Sequence, residues 1–308
     1  MASTSARRVR GLALRTAPLM ALAVLAALLG EPAKAPVKAR DLTSAAYTRD
    51  ACGPKIAKPT GGTWTCTFVD NFGGTALNPN KWAPMTTALT GVRSHECRVG
   101  RRANVLVSWG TLKLTVRREY KKFWCATPGG GYYTQYTGGN VASKGRFSQA
   151  YGRFEIRAAF PAAKVAGLHS ALWMWPDKQT YGGNWRSGEI DIAEFRTFHP
   201  NYVVPAIHYV GEGDDPYATS WKCAVSRPEL MHLYVLEWTT KTLTIKYDGR
   251  TCLVNNWQPD APLTKPAPFN RPFFMILTQS LGMGANDFSV AKTPLPATMK
   301  IDWVKVWS

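Results

Sequence analysis

Beyond residue 63 the 308-residue chain breaks into short stretches of alternating apolar and polar side chains, divided by Gly, Pro and Asn. The stretches 64–69, 105–107, 111–117, 151–158, 170–175, 189–195, 206–209, 232–238, 242–247, 273–277 and 300–307 carry the period of two expected of strands. No window shows a convincing helical period. Many short strands with turn signals and no helices between them predict an all-β fold, a sandwich of two antiparallel sheets of the jelly-roll kind. Tyr247-Asp248-Gly249-Arg250 reads as a hairpin turn, because Asp-Gly tolerates the positive φ that tight turns need.

One stretch does not alternate cleanly. In Ser187-Gly188-Glu189-Ile190-Asp191-Ile192-Ala193-Glu194 a period of two puts Glu189 and Asp191 on one face and Ile190 and Ile192 on the other. Strict alternation would bury Glu194. A β-bulge near Ile192-Ala193 resets the phase and predicts three carboxylates on one face. Charges so close do not all ionise cheaply, so a protonated acid beside an ionised carboxylate is expected. That pairing suits glycosidic bond cleavage, where retaining enzymes hold two carboxyl groups roughly 5–5.5 Å apart. Taken alone, the same acids also fit the solvated face of an edge strand or a cation site. Just upstream, Trp173 and Trp175 share a face of 170–175, as either core or a platform for stacking sugars.

Composition narrows the setting. The first residues resemble a secretory leader: Arg7, Arg8, Arg10 and Arg15, an apolar run from Ala17 to Leu29, then Ala33-Lys34-Ala35 as a cleavage site. The run is too short to span a bilayer comfortably, so no stable membrane insertion is expected after cleavage, an uncleaved anchor being the alternative. The expected organisation is a signal peptide at 1–35, a linker and lead-in loop at 36–62, and one domain at 63–308. Six cysteines, Cys52, Cys66, Cys97, Cys125, Cys223 and Cys252, follow the leader with no Cys-x-x-Cys pair, which favours disulfides in an exported, extracellular protein. Sequence does not choose the pairing; sequential pairing, with Cys223 to Cys252 foremost, is the working expectation. The formal charge is +18, and with five Lys or Arg and one Glu in residues 1–35 the remainder carries about +14. Such a surface attracts anionic polymers, but no nucleic-acid-binding motif accompanies it.

The Glu-Ile-Asp-Ile-Ala-Glu segment resembles the signature of glycoside hydrolase family 16, in the branch with the extra bulge residue typical of laminarinase-like endo-β-1,3-glucanases. Further segments resemble the family in order: Phe68-Val69-Asp70-Asn71-Phe72 with Trp82, Tyr136-Thr137-Gly138-Gly139-Asn140, Lys144-Gly145-Arg146-Phe147, Tyr151-Gly152-Arg153-Phe154-Glu155, His208-Tyr209, Tyr234-Val235-Leu236-Glu237-Trp238 and Ile301-Asp302-Trp303-Val304-Lys305-Val306. The resemblance implies a concanavalin A-like β-jelly-roll with a concave cleft for a polysaccharide, cleaved with retained configuration and without a cofactor in the chemistry.

Carried over residue by residue, the resemblance implies Glu189 as nucleophile, Glu194 as general acid and base, and Asp191 between them. It places His208 near the acid side and Trp173, Trp175, Trp185 and Gln279 among the residues that meet substrate. It also implies a structural Ca2+ on the convex face, with Asp302 as a donor; one aspartate does not complete such a site. Three positions depart from the family pattern: Arg186 follows the cleft tryptophan where proline is usual, Asn71 replaces an acid, and Thr278 stands where Asn is common. These bear on substrate rather than chemistry. The expected function is a secreted, monomeric endo-glycosidase acting on β-1,3-glucan or mixed-linkage β-glucan. The alternatives are a transglycosylase, a hydrolase of another, anionic or galactan-like polysaccharide, and a non-catalytic glycan-binding module.

Overall fold

The computed structural model describes residues 52–59 and 61–308. The leader at 1–35 and the linker as far as residue 51 lie outside the described residues.

Fifteen strands follow in chain order: β1 (Cys66–Asp70), β2 (Ala83–Pro84), β3 (Cys97–Arg98), β4 (Val105–Ser108), β5 (Thr111–Thr127), β6 (Gly130–Ala142), β7 (Gly152–Ala159), β8 (Leu168–Pro176), β9 (Glu189–Arg196), β10 (Val204–His208), β11 (His232–Trp238), β12 (Leu243–Tyr247), β13 (Arg250–Asn255), β14 (Phe273–Leu281) and β15 (Ala297–Trp307). Among the described residues a single α-helix of four residues, α1 (Thr87–Thr90), and three short 3-10 turns interrupt them. The alternating pattern thus yields the all-β jelly roll expected. It does not disclose β2, β3, β6 or β13, and β5 runs ten residues past the expected end at 117.

One sheet has the order β10-β9-β8-β14-β6, with β2 added on β6; the other runs β5-β15-β7-β11-β12-β13, with β4 on β5 and β1 on β15. The long β5–β6 hairpin belongs to both and joins them along one edge. Between the sheets lies one core. From the first sheet Leu172, Met174, Ile190, Ile192, Phe273, Met275 and Leu277 point inward, and from the second Phe154, Ile156, Leu236, Trp238, Ile245 and Ile301 meet them. Trp238 packs edge-on against Phe273 with ring centroids 5.3 Å apart. Each large apolar side chain buried this way contributes roughly 1.5–3 kcal/mol.

The six cysteines pair sequentially, as Cys52–Cys66, Cys97–Cys125 and Cys223–Cys252. The second bridge fastens β3, and the loop carrying α1, to the β5–β6 hairpin beside the outer face of the first sheet.

Candidate active site

The outer face of the first sheet carries the acids, and a bulge puts them there. β8 pairs Leu172 with Ala193 and Trp173 with Asp191, and β10 pairs Val204 with Glu194 and Ala206 with Asp191, so both neighbours skip one residue of β9 between Asp191 and Glu194. Glu189, Asp191 and Glu194 therefore share a face while Ile190, Ile192, Ala193 and Phe195 are buried in the core. The disturbed backbone is tied from below, where the Tyr247 hydroxyl of the opposite sheet donates a 2.8 Å hydrogen bond to the Ile192 carbonyl. A buried carbonyl left by a bulge costs free energy unless a donor reaches it, and Tyr247 supplies one. At the start of the strand Gly188 has φ +83°, and a Cβ there would lie 2.7 Å from the Phe269 ring, so only glycine delivers Glu189 to this position.

Each acid has its own surroundings. Glu189 accepts a 2.9 Å hydrogen bond from Trp185 Nε1; Trp185 stands on the short turn Asn184–Ser187 and is 48% exposed. Burial, then the charge of Asp191, pushes the Glu189 carboxyl up to about 8 against the pull of His208 and Trp185. Asp191 is buried and lies 3.1 Å from His208 Nε2. Burial and the neighbouring Glu194 charge raise it to about 6 even so. Glu194 is buried too, but His169 Nε2 lies 2.9 Å from one carboxylate oxygen and Arg196 donates a 2.7 Å hydrogen bond to the other. Burial alone would raise it; His169, Arg196 and His208 together outweigh burial and hold it below the ordinary glutamate value.

His208 is placed differently from expectation. The register sets it opposite Glu189, not beside Glu194, and its ring stacks on Trp185 at 5.1 Å. Its two nitrogens bridge Asp191 and Glu212, the latter at 2.8 Å. Burial opposes its charge, but the two carboxylates raise it to about 10, so it is a cation at neutral pH.

The aromatic residues continue the surface onto β8. Trp173 is level with Asp191 on β9 and Ile276 on β14, and Trp175 is level with Phe274. The two indoles meet edge to face, centroids 6.1 Å apart, and pack against Phe274, Ile276 and Met85. Trp173 Nε1 donates to Thr278 Oγ1 at 3.0 Å, and Thr278 in turn to Asn140 Oδ1 at 3.2 Å. Thr278 therefore faces outward.

Gln279 corrects the expected substrate contact. It follows Phe273, Met275 and Leu277 on the inner parity of β14, is fully buried, and accepts a 2.6 Å hydrogen bond from Ser170 in the core. Asp302 lies at the irregular register of β15 and ion-pairs with Arg157. Among the described residues no three His, Cys, Asp or Glu gather as a metal site, and the Asp302 carboxylate is engaged by Arg157. His169, Arg196 and Glu212 are contacts that reading the sequence missed. Arg196 had a signal, since it stands two residues after Glu194 and so shares its face.

Comparison with known proteins agrees with this architecture. The model of Glycosyl hydrolases family 16 matches residues 94–305. Glucan endo-1,3-beta-glucosidase A1 of Niallia circulans is 31% identical over 264 residues, covering 78% of this chain and 37% of that protein, so the chain spans little more than a third of it. The Beta-glucanase of Rhodothermus marinus is 31% identical over 261 residues, covering 79% of this chain and 85% of that one. The X-ray structure of the laminarinase from Rhodothermus marinus aligns with a TM-score of 0.65 at 28% identity, covering 79% of this chain and 97% of the other. With its bulged acidic strand, its jelly-roll sheets and these relatives, the chain belongs to glycosyl hydrolase family 16 and is a glycoside hydrolase.

Proposed function

We propose that the protein is an exported endo-β-glucanase that cleaves β-1,3-glucan, or β-glucan of mixed linkage, with retention of configuration. The observation that carries this reading is the bulge that brings Glu189, Asp191 and Glu194 onto one face beside half-buried tryptophans. The names of the relatives support β-glucan as substrate, and three disulfides support an oxidising compartment.

The positions support a double-displacement mechanism. A Glu189 oxygen attacks the anomeric carbon while Glu194 gives its proton to the glycosidic oxygen, so the C–O bond to the leaving sugar breaks as the ester to Glu189 forms. Glu194, now ionised, takes a proton from water, and the hydroxide oxygen displaces Glu189 from the anomeric carbon. The reactive form needs Glu189 ionised and Glu194 protonated. The free site favours the opposite distribution, since Glu189 is raised to about 8 and Glu194 lowered, so the reactive form is reached by shifting one proton within the cluster. Asp191, lying between the two glutamates and paired with His208, balances charge during that shift.

The test is reducing-end release from laminarin and lichenan, followed by azide rescue with an activated aryl β-laminaribioside. Glu189→Ala should be rescued to an α-glycosyl azide and Glu194→Ala to the β anomer. Glu189→Ala retaining more than a few percent of wild-type activity would overturn the assignment, because loss of a nucleophile costs orders of magnitude.

A further inference from the structure

Beside the acids the cleft opens into a pocket of about 640 Å3, floored by Phe274 and Ile276 and walled by Trp173, Trp175 and Met85. Its charged lining residues are two cations, Arg98 and Lys144, and no carboxylate lines it. Lys144 is exposed, with Nζ 5.7 Å from the centroid of the Phe274 ring. Arg98 reaches in from the other side: its guanidinium approaches Ser280, which lies opposite His169 on β8, itself opposite Arg196 on β9. The cations therefore frame the pocket from opposite ends of the strands.

Arg98 is a built feature. Its side chain is 14% exposed, its backbone N–H donates to Thr87 Oγ1 at 2.9 Å, and the adjacent Cys97 is bridged to Cys125. Its guanidinium contacts are long, 3.5 Å from Nε to fully buried Glu96 and 3.5 Å to Ser280 Oγ. Glu96 balances the charge from behind, while the guanidinium donors toward the pocket are weakly used. The neutral polar groups offer little in return, because Trp173 Nε1 is spent on Thr278 and Asn140 Oδ1 accepts from Thr278. A neutral sugar presents hydroxyls that both donate and accept and is matched by mixed partners. A pocket rich in cationic donors and poor in free acceptors is matched by an anion.

We propose that this pocket is a subsite for a glycosyl unit bearing a negative substituent, a carboxylate or a sulfate, so that the preferred glucan is an acidic one. The proposal rests on reading the cleft as a polysaccharide hydrolase site and specifies which polysaccharide it prefers. The apolar floor takes the ring face, and Arg98 and Lys144 take the substituent.

The test separates binding from hydrolysis. Laminaritetraose, the same tetraose oxidised at C6 to glucuronate units, and a lightly sulfated preparation are titrated calorimetrically into the full-length Glu189→Gln variant at low salt. At least one acidic probe should bind about tenfold or more tightly than the neutral one, the equivalent of a single well-placed ion pair, and the carboxylate and sulfate arms tell which anion it is. That ratio should collapse in about 0.5 M salt and in Lys144→Gln. Arg98→Gln should abolish it as well, with Lys144→Gln carrying the test if the buried change prevents folding. Equal or tighter binding of the neutral tetraose overturns the inference whether or not wild type cleaves laminarin. Tighter acidic binding by a protein that hydrolyses none of the probes leaves the subsite standing and removes the glucanase reading.

Discussion

His169 reaches across from β8 to Glu194, its Nε2 2.9 Å from one carboxylate oxygen, while Arg196, two residues along β9, holds the other at 2.7 Å. The clamp keeps Glu194 ionised and fixed in direction. On the proposed mechanism, catalysis works against it to protonate the acid and with it to regenerate the base.

On that mechanism the clamp should set the acid side of the pH profile. Because Glu194 is lowered and Glu189 raised to about 8, kcat/KM should follow a bell whose acid limb lies below the ordinary glutamate range and whose alkaline limb lies near pH 8. The limbs belong to the coupled cluster rather than to one residue. Arg196→Gln removes a contact that favours the charged form, so its acid limb should move to higher pH and the bell should narrow from that side. An unmoved acid limb would show that Arg196 does not act on Glu194.

On the same mechanism Trp185 should govern the other limb. Its indole N–H stabilises ionised Glu189, and Trp185→Phe keeps a stacking ring over His208 while deleting that donor. Glu189 should then hold its proton more tightly, shifting the alkaline limb upward and lowering kcat about tenfold, at the weak end of a hydrogen bond to a charged group because Trp185 is half exposed. A kcat loss without a limb shift would assign Trp185 to substrate contact alone.

Stability should register the same proton. Glu189 keeps it in the fold to about pH 8, whereas an unfolded glutamate loses it near its ordinary value of 4.5. Between those limits the native state binds more protons than the unfolded state, so this group's contribution to stability declines as pH rises. Glu189→Gln, neutral throughout, should gain on wild type between about pH 5 and pH 8, by up to a few kcal/mol in denaturant titrations. A constant difference between the two proteins over that range would refute the burial effect.

Tyr247 acts from inside the sandwich. Tyr247→Phe leaves the Ile192 carbonyl at the bulge without its donor and should cost about 1–3 kcal/mol of stability. As the bulge aims Glu194, kcat should fall more than KM changes. Equal loss on substrates with good and poor leaving groups would mean that more than the acid had been disturbed.

Much of the site was legible because its signals are local. The spacing from Asp191 to Glu194 breaks the strand's phase, and only a bulge rescues the second glutamate from the core. Trp173 and Trp175 declared a common face for the same reason. Gln279 was misread because β14 is buried along its whole length, so polarity gives no sign of direction. The inward run of Phe273, Met275 and Leu277 would have assigned its side by parity. His208 was set beside the wrong acid, since the register between β10 and β9 depends on a skipped residue absent from the motif. Arg98 and Lys144 could not be located from net charge, because a strand pairing, a disulfide and a turn remote in sequence carry them to the cleft. Alternation does not disclose β6: Gly130–Ala142 is crowded with Gly, Tyr and Thr, and only the family resemblance points to 136–140 as strand.

The extra residue in β9 makes the cleft depend on counting. At Ala193 the side chain matters little beyond fitting the core, but the position cannot be dropped. Deleting it would turn Glu194 inward and swing Phe195 out among the tryptophans, so one lost codon would swap a carboxylate for a benzyl group on the outer face of the sheet. Substitutions leave that arithmetic intact. The strand can therefore change its letters at the bulge within what the core accepts, while a change in its length must be answered by re-spacing the acids.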